Sequence, residues 1–329
     1  MKKEAIIMMI AAAAVTIASC TADENLPGGG EGDTHPVLDV LGAAIAPTEA
    51  ATRAVGTTTV TSGSIGVFLS NTDPADTDPP YVPVSNRKYT YGTPKWTTDK
   101  AIYLGGEEAK VCAYYPYSAT QATTAVALTT QAYAAGKDLS YAPCVKVNGG
   151  PDKTIDGDVG RHVTFVLKRA YSRAKVEFTR KNYTGTGTVT EIKWQKLPLS
   201  ATLGIADGTY TALTAGEKIQ TVSYTLPATD ALTVNEADEL LIAPGKIAEP
   251  TAGDKEGLVL VLTIDNKPMT TYLKPSALSE LKPGKYYTFK VNVNGTGIDI
   301  TKVELEDWQA QTIEDTGNKP FETEPEPQP

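Results

Sequence analysis

The feature that most narrows what this chain can fold into is strict alternation of apolar and polar residues in short segments closed by turn formers. After Pro283-Gly284, residues Tyr287, Phe289, Val291 and Val293 fall on one parity, and Thr288, Lys290, Asn292 and Asn294 on the other. Val163, Phe165 and Leu167 repeat the pattern between His162 and Lys168. A period of two sends successive side chains to opposite sides of a pleated strand, so each segment reads as a strand with one face on a core. Further strands are expected at 65–69, 110–115, 138–142 and 175–179, with Pro143 halting the third. The Asp- and Pro-rich stretch 71–83 reads as an exposed loop. Residues 258–264 are apolar on both parities, which predicts a central strand covered on both faces. Beyond Gly297 the apolar parity moves from Ile298 and Ile300 to Val303 and Leu305, which predicts a bulge near Thr301, and Trp308 closes the last strand. The chain reads as all-β.

At roughly 150 residues per domain, 329 residues suggest two domains. The break is expected in the gap before 175–179, giving an N-terminal β domain at 54–170 and a C-terminal one at 171–310. The acidic, Pro-rich tail 311–329 cannot bury enough apolar surface to order itself and is expected to be disordered. With 39 acidic against 30 basic side chains the net charge is −9, which argues against a nucleic-acid partner, since phosphate contacts need clustered Lys and Arg.

Met1-Lys2-Lys3 followed by the apolar residues 5–18 reads as a signal peptide, too short to span a bilayer. It ends in Ile17-Ala18-Ser19-Cys20, which resembles a bacterial lipobox. Residues 1–19 would be removed by cleavage between Ser19 and Cys20, and acylated Cys20 would insert in outer-membrane lipid. The alternative is an ordinary secretory signal with a chance cysteine. Residues 20–53 then form a tether and pro-segment, with a flexible glycine run at 28–30.

Within that segment, residues 37–45 (Val-Leu-Asp-Val-Leu-Gly-Ala-Ala-Ile) are mostly apolar on both parities and read as a strand covered on both sides. On strict alternation Val37, Leu41 and Ile45 share one face, worth about 5–9 kcal/mol gross if buried. The linker Ala51-Thr52-Arg53-Ala54 follows, flanked by small residues and suited to proteolytic nicking between Arg53 and Ala54. The bland alternative is a plain surface arginine.

Catalytic apparatus is not legible, and the chain reads as a non-enzyme without cofactor or metal. The 2 histidines, His35 and His162, have no Cys, Asp or Ser at a ligand or triad spacing. The carboxylates between Asp152 and Asp158 lack a full calcium-ligand loop and read as a solvated hairpin turn. Glu304 and Glu306 share the polar face of one strand and read as solvated. Cys112 and Cys144 remain once Cys20 is acylated. They are either paired, as an oxidising compartment permits, or two buried thiols.

Taken in order, several short motifs carry a resemblance. After the lipobox and Ala51-Thr52-Arg53-Ala54 come Gly66-Val67-Phe68, Ala113-Tyr114-Tyr115-Pro116-Tyr117 and Asp138-Leu139-Ser140-Tyr141-Ala142. Leu240-Leu241-Ile242-Ala243-Pro244, Lys282-Pro283-Gly284-Lys285-Tyr286-Tyr287 and Glu306-Asp307-Trp308 follow. Together they resemble the fimbrillin family of Bacteroidales, lipoprotein-derived pilus subunits, over nearly the whole chain. The acidic pair Asp23-Glu24 similarly resembles the surface-export signal of Bacteroidetes lipoproteins. The resemblance implies two transthyretin-like β-sandwich domains in tandem and a surface fimbrial subunit that supports adhesion. It also implies Arg-specific cleavage between Arg53 and Ala54, departure of the N-terminal strand and its replacement by a strand from another fimbrial subunit, head to tail. One departure stands out: the residues after Trp308 make a poor donor strand, as in a tip, accessory or anchor subunit. The alternative reading is a monomeric surface lipoprotein that keeps its own 37–45 strand and binds a glycan or protein.

Overall fold

The computed structural model describes residues 36–46, 58–150, 160–247, 257–274 and 276–308. Among them there is no α-helix, and the chain is all-β. In chain order the first strands are β1 (Asp39–Ile45), β2 (Thr58–Thr59), β3 (Ser64–Asn71), β4 (Val84–Gly92), β5 (Lys95–Thr97), β6 (Ala109–Tyr115), β7 (Ala125–Thr129), β8 (Gln131–Ala132), β9 (Ser140–Val147) and β10 (His162–Arg169). The rest are β11 (Ser172–Arg180), β12 (Thr188–Gly204), β13 (Tyr210–Thr225), β14 (Leu232–Thr233), β15 (Leu240–Ile242), β16 (Gly245–Lys246), β17 (Leu258–Ile264), β18 (Lys267–Leu273), β19 (Glu280–Leu281), β20 (Lys285–Asn294) and β21 (Gly297–Asp307).

Eight strands form one sheet in the order β2-β1-β10-β9-β6-β3-β4-β5, folded over so that β1 lies against β5 across a shared core. In the second unit two sheets face each other, β21-β20-β11-β15-β8 with β14 on β11, and β13-β12-β17-β18 with β7 on β12. Trp194 of β12 meets Phe289 of β20 edge to face at 4.9 Å between these layers. The alternation expected of the segment after Pro283-Gly284 is realised there, with Tyr287, Phe289, Val291 and Val293 in the core. At the bulge Lys290 pairs with Lys302 and Val291 with Ile300, so Thr301 is the extra residue. Its hydroxyl donates to the Lys290 carbonyl at 3.2 Å.

Three expectations change. Double coverage, expected at 37–45, falls in the first unit on β3 and β6 instead. Val111 and Ala113 of β6 face one core, while Cys112 and Tyr114 face a second, at the junction with the other unit. Pro143 does not halt a strand. In β9 Ala142 pairs with Ala113 and Val145 with Val111, so Pro143 and Cys144 together oppose Cys112 in a bulge, where proline's missing N–H removes no ladder bond. Strand pairing also crosses the division expected from chain order. Residues 125–132, assigned with 54–170, pair with the second unit, β7 on residues 200–204 of β12 and β8 on β15. The 37–45 segment forms the strand read in the sequence, and as β1 it pairs within the first unit's sheet.

The crossover has a local cause. β12 pairs with β17 only as far as Gln195, leaving the edge at 200–204 for β7. Thr130, between β7 and β8, is buried; its hydroxyl donates to the Pro198 carbonyl at 2.6 Å and accepts the Ala243 N–H at 2.9 Å. Those bonds hold the two facing sheets at a set separation. Thr130→Val keeps the side chain's shape but strands both buried groups, so unfolding free energy should fall by about 1–3 kcal/mol in denaturant titration. No loss would mean the hydroxyl is dispensable.

Candidate functional site

The site is the slot occupied by β1. β1 runs parallel to β10, with Asp39 against His162, Val40 against Val163, and then Gly42 to Ile45 against Thr164 to Leu167. The register slips by one between Val40 and Gly42, so Leu41 is a bulge. On the other edge Val37 bridges Tyr103, the Leu38 N–H donates to the Ile102 carbonyl at 2.8 Å, and the Leu104 N–H to the Pro36 carbonyl at 2.8 Å. Further along, Ala44 and Ile45 pair antiparallel with Thr59 and Thr58 of β2. The strand is thus laddered to β10 along its length and held at both ends on its other edge.

The bulge overturns the expected face. Val37 and Leu41 are exposed, at 39% and 58%, while Leu38, Val40, Ala43 and Ile45 are buried. One extra residue at position 41 reverses parity, so side chains before and after it reach the same core. The outer face is open, not covered as the double apolar pattern suggested. Leu38, Val40 and Ile45 still bury about 5–9 kcal/mol of gross transfer free energy, through a different set of residues. They share a core with Tyr89, Trp96, Ile102, Leu104 and Phe165. Burial pushes the Tyr89 hydroxyl well above the ordinary phenol range, so it stays protonated 3.4 Å from the Leu38 carbonyl. At the exposed entrance His162 Nε2 lies 3.5 Å from Asp39 Oδ2.

β10 depends on its guest. Among the described residues it pairs with β9 only at Lys168 and Arg169; from His162 to Leu167 its ladder partner is β1. Taking β1 away would leave an apolar slot bounded by β10 on one edge and by 102–104 with β2 on the other.

Of the residues singled out in the sequence, Ser19, Cys20, Arg53 and Ala54 lie outside the described residues, as do His35, 152–158 and the tail from 309. Arg53 belongs to the 47–57 connection, whose flanking strands are neighbours through the pairing of Ile45 with Thr58. Cys112 and Cys144 are joined by a disulfide between β6 and β9, their Cα atoms 4.1 Å apart. Glu304 lies with Lys290 and Lys302 on a solvated face, 3.0 and 2.9 Å from their amines. The edge at 102–104 was not anticipated, although Ile102 and Leu104, both fully buried, carry a brief period-two signal in the sequence. No group of three or more His, Cys, Asp or Glu side chains able to hold a metal occurs among the described residues.

The arrangement defines an all-β, packed-sheet protein whose N-terminal strand completes the fold from ahead of a separate connection. A fimbrillin-like family profile matches residues 52–308, and the chain belongs to that family. The matched stretch begins just before Arg53 and leaves β1 ahead of it. No curated protein sequence matches the chain. Among solved structures, the chain is similar to a proposed cell-adhesion protein from Bacteroides ovatus, 18% identical with a TM-score of 0.57, over 85% of this chain and 100% of that one. It is also similar to one from Bacteroides uniformis, 22% identical with a TM-score of 0.52, over 84% of this chain and 100% of that one. At such identities the likeness is one of fold.

The bulge makes a test of which face is inside. Ile45→Ala should lower stability by about 2–5 kcal/mol, whereas Leu41→Ser should shift it by less than about 0.5 kcal/mol. Calorimetry on the full chain reads both; equal losses would restore the unbulged register.

Proposed function

We propose that this chain is a structural, non-enzymatic subunit of a cell-surface fimbria that assembles by strand exchange at the β1 slot and supports adhesion. Family membership supports the fimbrial role. The single observation that carries the exchange reading is that β1 is laddered to β10, held at both ends on its other edge and packed into the core, yet joins the body through a connection containing Arg53. On this reading the chain is exported as a lipoprotein, cut between Ser19 and Cys20 and held in outer-membrane lipid by acylated Cys20. Cleavage between Arg53 and Ala54 leaves β1 held by its hydrogen bonds and by Leu38, Val40, Ala43 and Ile45. A strand from another subunit then takes its place, with main-chain bonds for affinity and alternate side chains for register. Donation of this kind is heterologous and generates a filament in place of a closed ring.

The incoming strand meets a demanding template. It must lie parallel to β10 and offer apolar side chains at the positions of Val40, Ala43 and Ile45. It must also carry one extra residue between the first two, or forgo the first contact. That requirement filters donors by spacing as well as hydrophobicity.

Two variants test the scheme. Arg53→Ala should leave folded, lipidated monomers at the cell surface and abolish high-mass ladders on gels run without boiling. Undiminished ladders with normal export would move assembly away from this bond and favour a subunit that keeps its own strand. Cys20→Ala should accumulate precursor without lipid label; continued label incorporation would overturn the anchor assignment.

A further inference from the structure

A second concave site lies at the far tip of the second unit. β11 leaves the junction at Ser172 and reaches Arg180, about 26 Å away at strand rise. There the loop 181–187 meets the β17–β18 turn at Asp265 and Asn266 and the β20–β21 turn at Gly295. Between them is a cleft of about 670 Å³ lined by Tyr183, Thr184, Thr186, Asp265, Asn266 and Lys267, among others.

The loop is held rigidly from both sides. The Arg180 guanidinium donates to the carbonyls of Tyr183, Gly185, Thr186 and Leu226. Asp265 accepts the Gly187 N–H at 3.0 Å, the Thr188 N–H at 2.9 Å and the Tyr183 hydroxyl at 2.8 Å. Gly185 is required for this closeness, because a Cβ there would stand 2.3 Å from Asp265 Oδ2 and 2.7 Å from the Tyr183 ring. Meanwhile the side chains of Thr184, Thr186, Asn266 and Lys267 make no hydrogen bond or ion pair to other described residues. A preorganised frame thus presents unspent hydroxyl, amide and amine groups into one cleft, beside an aromatic ring.

We propose that this cleft binds a neutral oligosaccharide. Hydroxyl and amide groups both donate and accept, as sugar hydroxyls require, and the half-buried Tyr183 ring and Met269 add apolar lining for a sugar ring. An anionic ligand is disfavoured: the guanidinium is committed to carbonyls, and Lys267 shares the cleft with the Asp265 carboxylate. One carboxylate does not make a cage for a divalent cation. The inference extends the adhesive role proposed above, on which it rests for its biological setting, by naming a ligand class and a place for it.

The test is made on the purified full chain in solution, so its result is independent of export, cleavage and polymerisation. Saturation-transfer NMR would be run with maltotriose, mannotriose and lacto-N-tetraose, and with sialyllactose as the charged comparison. At least one neutral sugar should receive saturation on its ring protons. N266G should weaken that sugar's binding severalfold, and N266G with T186V about tenfold, with unchanged melting curves. Asn266 has a φ of 63°, which glycine accepts, so N266G alone carries the test if the double variant does not fold. Silence from all three neutral sugars, a response from sialyllactose alone, or binding untouched by N266G would each overturn the proposal.

Discussion

The first unit depends on one parallel pairing. Over the six residues from His162 to Leu167, β10 is laddered to β1, and it joins β9 only at its last two positions. Because unpaired buried backbone groups are expensive, that segment of β10 cannot stay in place with its edge open and its core face bare. The slot therefore persists only while a strand fills it. For the strand exchange proposed above, this favours displacement, the incoming strand forming bonds as β1 gives them up, over departure followed by arrival. The bulge at Leu41 divides β1 into two short runs, each with its own side chains in the core.

The rest of the molecule is built to hold that slot's walls still. β3 and β6 present apolar side chains on both faces, so the first sheet is pinned between its own core and the junction core. The Cys112–Cys144 disulfide ties β6 to β9 at the bulge, beside the strand that carries the end of β10. β7 and β8 cross to the second unit and stitch the two together. With one cluster spanning Phe68, Tyr114 and Tyr141 on one side and Leu128, Leu203 and Leu241 on the other, the units share a buried junction.

Charge is used at that junction to set position. Arg169 stacks 4.1 Å over the Trp308 ring and pairs with Asp138; burial, the main cause, pulls its pKa down to about 10, still charged at neutral pH. Arg173 lies 3.6 Å over Tyr133 and is bound by Glu239 at 2.5 Å and Glu236 at 2.8 Å. For Arg173 burial opposes the charge, but the two carboxylates outweigh it and its pKa rises. Buried pairs of this kind add little over apolar packing, but their geometry is directional. They fix the position of the Trp308 ring at the junction.

Much of this was legible in the residues. The alternation at 163–167 and 287–293 determined those strands and their inward faces, because one residue's parity carries through a regular ladder. The parity change at 298–305 located the bulge at Thr301 for the same reason. The motifs from Arg53 to Trp308 identified the family. What only the tertiary structure decided is where a ladder departs from regularity without a change in composition. Residues 37–45 are apolar on both parities, so nothing in them marks Leu41 as the residue that steps out; that follows from fitting β1 to β10 and 102–104 at once. Pro143 looked like a terminator because the bulge that makes its missing N–H harmless exists only opposite Cys112. Residues 125–132 belong by chain position to one unit and by pairing to the other, because β12 outruns β17 and leaves an edge that only a distant strand can reach. Local pattern determined which residues face a core, and long-range pairing decided which core.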